Sequence, residues 1–272
     1  MEFPQEVRDL FAEEMAAKFL ATVDPEGKPN VALIVTLQPP PDGRKDRLIF
    51  GEFLMWKSKE YLEGNAHVAA AVVNTKLRMA TLTGDFQGFE KTGPYKEALD
   101  ASNLMRYNAY SGMRSAGVID VREAYPARGA AMLGVPFDFI KARMHRAADG
   151  NGGVAVPGMV KEKFVKLTSV KALAVMGDDG YPRIHPVMAA APAGEGAFVL
   201  QITKYNRELA QVKVPCAAAL CVLTFDVKSY KVKGELAPLS SSALLFKVSE
   251  VYNAMPPLAG DLIVGVSRSI DT

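Results

Sequence analysis

Cysteine is scarce, with two residues among 272. Cys216 and Cys221 share one apolar run at an odd offset. In a strand that offset sends them to opposite faces, so neither a disulfide nor a shared metal is expected, only buried thiols in a reducing cytoplasm. The three histidines, His67, His145 and His185, show no metal-ligand spacing. Long apolar runs are missing too. The longest, around Val68 to Val73, is far too short to span a bilayer. The opening Met1-Glu2-Phe3-Pro4-Gln5-Glu6 has no apolar signal region, so a cytoplasmic protein without a membrane is expected. Charge of one sign is also lacking: 32 basic residues face 30 acidic ones, which gives no support to a nucleic-acid partner. No G-x-G-x-x-G opens a helix, and no nucleophile elbow or Walker sequence occurs.

Hydrophobic residues make up 49% of the chain, enough for sizeable cores. Their arrangement repeats. Lys18 to Pro29 and Lys171 to Pro182 both read as a short apolar strand, an acidic Gly turn and a Pro that opens the next strand. That second strand is Asn30 to Leu37 in one copy and Arg183 to Ala190 in the other. A third follows at Arg47 to Phe50 and Ala197 to Leu200. A polar, basic connection then opens a short helix, Lys57 to Leu62 against Asn206 to Ala210. Next come an apolar strand (Val68 to Val73, Ala217 to Leu223) and an alternating strand ending in Gly84 or Gly234. The final strand is Gly117 to Tyr125 or Leu244 to Tyr252. Such recurrence signals a duplicated unit, and the short turn-bounded strands favour antiparallel barrels over βαβ units.

The expected fold is therefore mainly β: two tandem six-stranded antiparallel split β-barrels with flanking helices. Residues 1–126 form the first barrel, with a helical insertion at roughly Pro94 to Tyr110. Residues 127–158 form a linker with a helix at Phe137 to Ala148 and a flexible Asp149-Gly-Asn-Gly-Gly153 segment; residues 159–272 form the second barrel. At the front, Phe11, Met15 and Phe19 recur at helical spacing within Pro4 to Lys18, which predicts an amphipathic helix.

The first copy resembles the flavin-binding split barrels related to pyridoxamine 5′-phosphate oxidase, within them the small FMN-binding proteins of sulfate-reducing bacteria. The residues that carry this are Gly27-Lys-Pro-Asn-Val31, Met55-Trp-Lys-Ser-Lys-Glu60 and the stretch Thr83 to Ala98. The resemblance covers most of residues 1–125; residues 160–252 share the general pattern with less of the phosphate segment. It implies FMN as cofactor, with the phosphate at Lys57 and Ser58. It also implies pairing of barrels about the flavin, as an internal pseudo-dimer or a homodimer.

The chemistry of those residues agrees. A phosphate needs a cation, a hydroxyl and free backbone N–H groups, and a Lys-Ser pair at a helix start supplies all three. A solvated helix end with a capping serine is the plain alternative. The flavin ring needs an apolar slot, for which Asn30, Leu33 and Thr36 on the second strand are candidates, with ordinary strand packing as the alternative. Trp56, the single tryptophan, adjoins the phosphate site and could stack on the ring or simply pack. In the second copy Thr203, Lys204 and Arg207 stand where a phosphate could bind, although Tyr205-Asn206 replaces the Lys-Ser pair. Arg183 and His185 share a strand face without an evident nucleophile.

These features point to an FMN flavoprotein in oxidoreduction or electron transfer with an unidentified partner, no catalytic side chain being required. The alternative of another class is a non-catalytic flavin- or haem-binding sensor. Pyridoxamine 5′-phosphate oxidation itself is disfavoured, because the tail from Gly265 to Thr272 offers only Arg268.

Overall fold

The structure, a computed structural model, describes residues 2–53, 55–102, 112–145, 153–255 and 258–265. A hairpin opens each half. In the first, β1 (Ala17–Val23) pairs with β2 (Pro29–Leu33). Asp24 sets the turn by accepting the N–H groups of Glu26 and Lys28, and Gly27 takes the left-handed position at φ 74°. Then follow β3 (Arg47–Gly51), α2 (Trp56–Gly64), β4 (His67–Val73), β5 (Arg78–Glu90), α3 (Pro94–Asp100), β6 (Ala116–Ala124) and the short β7 (Arg128–Gly129). The sheet order is β2-β1-β4-β5-β6-β3, with β7 beside β5. Beyond β2 the same segment reaches β3, where Gln38 bridges Ile49. One kinked segment thus joins both ends of the sheet into a barrel and removes its long edges.

The second half repeats the plan. After α4 (Gly134–Met144) and α5 (Gly158–Val165) come β8 (Val170–Met176), β9 (Pro182–Pro186), β10 (Ala190–Ala193) and β11 (Ala197–Gln201). A short 3-10 turn at Arg207–Gln211 stands in place of α2. Strands β12 (Cys216–Leu223), β13 (Ser229–Ser240), β14 (Ala243–Asn253) and β15 (Leu262–Val264) complete the order β10-β11-β14-β13-β12-β8-β9, with β15 beside β14. Here the kinked segment is two strands, β9 against β8 and β10 against β11. Gly84 and Gly234 occupy the same bulge, and a Cβ there would lie 2.6 Å from Asp120 O or 1.9 Å from Lys247 O.

Each barrel has its own core, and a third core lies between them. This explains the unbroken apolar run of β4. Val68, Ala70 and Val72 face their own barrel, whereas Ala69 and Ala71 face the other half. Strand β12 does the same, with Leu220 and Val222 inward and Ala219 and Cys221 across the junction. Small side chains on both sides let the sheets approach closely. Polar ties flank the junction: Tyr181 Oη donates to Asp85 at 2.7 Å, and the His67 ring stacks on Tyr181 at 3.9 Å.

Two local expectations change. Helix α1 spans Gln5–Ala12 only. Met15 lies beyond it and is exposed, while Phe19 sits in β1, where pairing with β4 outweighs helical spacing. The linker helix runs from Gly134 to Met144, and its Ala142 packs on β10 and β11 of the second barrel. The insertion begins as α3 at Pro94, as expected; its residues from 103 on, like most of the 149–153 segment, lie outside the described residues. Both cysteines are free. Among the described residues no helix is long and apolar enough to cross a membrane.

Candidate functional site

A cavity of about 840 Å³ lies between the two barrels, within the range of small-molecule and cofactor sites. β2 and the kinked segment that continues it form one wall, contributing Val31 through Thr36. The start of α2 adds Met55, Trp56, Lys57 and Ser58; β13 and β14 of the second half add Lys231 and Asn253.

One end of the cavity is cationic. Lys57 Nζ lies 4.1 Å from the centre of the Tyr252 ring, and Lys231 Nζ lies 5.1 Å from it. Lys231 is 5% exposed. Among the described residues its hydrogen-bond acceptor is Asn30 Oδ1, at 2.6 Å. Asn30 is itself buried and donates to Thr22 Oγ1 at 3.1 Å and Ser58 Oγ at 3.4 Å. An ammonium carries three donors, so Lys231 keeps donors for a ligand. Burial, with the Lys233 and Lys57 charges, pushes its pKa down to about 7. Burial and then Lys233 also lower that of Lys57. Crowded, poorly compensated cations favour an anion. Lys233 is partly satisfied by Asp24 at 3.3 Å, and Lys59 is tied to buried Glu52 at 2.8 Å.

The sequence-derived candidates divide. Lys57, Ser58, Trp56, Leu33 and Thr36 all line the cavity, and Asn30 stands behind it, bonded to Ser58 and Lys231. Thr36 Oγ1 accepts the Gly51 N–H at 3.0 Å, which fixes the kinked segment on β3. Trp56 is half exposed, with the Arg114 guanidinium 4.2 Å from its ring centre. Thr203, Lys204 and Arg207 do not reach the cavity. Thr203 is held by Asn206 Oδ1 through its N–H and hydroxyl, and Arg207 points to solvent.

The duplication would place a second site between the 3-10 turn and β5. That space is closed to about 10 Å³. Arg128 fills it, donating to Glu208 and to Tyr205 O, and Tyr205 Oη accepts the Met188 N–H at 2.9 Å. Counting from the matched glycines, Thr81 stands where the other half has Lys231. His185 also lines this space. It retains some accessible area, yet burial pushes its pKa down to about 4. Arg183 is paired with Asp179 at 2.9 Å.

Sequence reasoning missed Lys231 and Tyr252. The signal for Lys231 was the alternation of Tyr230-Lys-Val-Lys-Gly234, which puts Lys231 and Lys233 on one face without saying that the other barrel covers it; Tyr252 showed only as the end of a strand.

No protein-family model matches the chain, and no curated protein matches it. Among solved structures it is similar to HupZ of Group A Streptococcus, at 20% identity over 47% of this chain and 99% of that one, with a TM-score of 0.38. It is similar to an FMN-binding protein from Syntrophomonas wolfei at 17% identity over 47% of this chain and 86% of that one, TM-score 0.39. A FAD-binding protein from Mesorhizobium loti aligns at 13% identity over 47% of this chain and 96% of that one, TM-score 0.36.

Proposed function

We propose that this chain is an FMN-binding flavoprotein working in oxidoreduction or electron transfer with a partner still to be identified. One observation carries the reading: the start of α2 meets a buried, donor-rich Lys231 of the other barrel at the end of an apolar cavity. Lys57 and Lys231 would neutralise the phosphate, and Ser58 Oγ and the N–H groups of the first turn of α2 would orient it. The apolar wall from Val31 to Val35 suits a flat ring system. Bound FMN would supply the electron or hydride chemistry, and the protein would position it and limit its access to water.

The test starts with the visible spectrum of the purified chain. Flavin bands at one flavin per chain are expected; a Soret band would redirect the assignment to haem. Lys57→Ala with Ser58→Ala should then cost about 2–4 kcal/mol of FMN binding with the fold intact. Unchanged affinity would sink the phosphate assignment.

A further inference from the structure

The cavity is lined by far more than its lysines. Its charged lining residues are Lys57, Lys231 and Glu14; the rest of the described lining is apolar or neutral. Its lining also takes in connections of both halves: Met15 after α1, Leu77 in the β4–β5 turn, Met132 before α4, and Phe225 and Val227 in the β12–β13 turn. Four of these are left exposed: Met15 at 82%, Phe225 at 71%, Val227 at 64% and Met132 at 62%. Single exposed apolar side chains are ordinary, but a set lining one concavity marks a binding surface.

The two turns carry a second, independent signal. Leu77 and Val227 hold φ at 56° and 54°, left-handed backbone that bulky and β-branched residues rarely adopt. They sit at the same place in duplicated turns, their N–H groups bonded to Asn74 O and Thr224 O. Both line the cavity. Glycine would relieve the backbone in each turn but would remove apolar wall. Strain retained at two matched positions on one cavity fits a ligand clamp.

We propose that this apolar arm binds an uncharged, apolar small molecule, aromatic or alkyl, beside the phosphate-anchored group. The carboxylate on the lining, Glu14, already faces the charge of Lys18, so a charged occupant would lose hydration there without a matching partner. The proposal rests on the flavin reading only for what fills the lysine end.

The test titrates the full chain with the neutral dye Nile red and, separately, with FMN, in wild type and in Met132→Asp/Phe225→Asp. Both positions are exposed, and a urea midpoint checks the fold. The double variant is expected to weaken dye binding about tenfold or more while FMN affinity stays unchanged. Dye affinity untouched by the double variant overturns the proposal, as does competitive displacement of the dye by FMN. Dye binding that the variant abolishes, in a protein that binds no FMN, supports the apolar arm and overturns the flavin reading. If the double variant fails to fold, Met15→Lys carries the same expectation.

Discussion

Lys231 is buried with Asn30 Oδ1 as its acceptor and two other lysines nearby. Its pKa of about 7 gives ligand binding a pH signature. Below that value the amine is charged and attracts a phosphate; above it the proton, and with it the attraction, is lost. A phosphate ester gains its second charge near pH 6, so FMN affinity is expected to peak near neutrality and weaken as pH rises from about 7 to about 9. Lys231→Met should lower affinity at neutral pH by about tenfold and flatten the alkaline decline. An unaltered slope in that variant would place the titrating group elsewhere. In the ligand-free protein the sign is separate. The folded pKa lies below the ordinary 10.5, so Lys231 contributes stability at high pH that is lost as pH falls toward about 7.

At the scale of elements, the kinked segment decides both closure and site. In the second half it is held by Lys171, which is 1% exposed and donates to Met188 O at 2.8 Å, Ser169 O at 3.1 Å and Lys166 O at 3.3 Å. Met188 lies between β9 and β10, so one side chain ties the kink to the start of β8. Three carbonyls would lose their donor in Lys171→Met, partly offset by removing a buried charge. The net expectation is a loss of about 1–3 kcal/mol, read as a lower urea midpoint. A midpoint equal to wild type would show the kink is held by strand pairing alone. Pairing does dominate elsewhere: Phe19 lies in β1 rather than on a helix because five residues of β1 pair with β4.

Across the whole molecule the two inter-barrel spaces differ, one open at about 840 Å³ and one closed at about 10 Å³. The closed one holds partly buried His185 near Arg128, Arg183 and Glu208, and desolvation holds its pKa at about 4 against an ordinary 6.5. A depressed folded pKa means stability that is present above about 6.5 and lost as pH falls toward about 4. That loss is at most about 3 kcal/mol. Acid unfolding of wild type should therefore begin earlier than that of His185→Gln, measured as urea midpoints at pH 7, 5.5 and 4.5. Parallel profiles would remove His185 from the acid response.

The duplicated barrel was legible because strand patterning and turn chemistry are local: Pro29 and Pro182, Gly84 and Gly234, and the apolar runs of β4 and β12 repeat in order. Lys57 and Ser58 could be picked out for the same reason, as neighbours at one helix start. Lys231 could not, because its partner Asn30 is 201 residues away and only the docking of one barrel on the other buries it. Nor could the chain order reveal that Arg128 would close the second space while the first stayed open. Patterning determines which residues face inward within each barrel; which outward faces then meet, and what is desolvated between them, is decided by tertiary packing, because burial and charge proximity are properties of distance in space rather than of sequence.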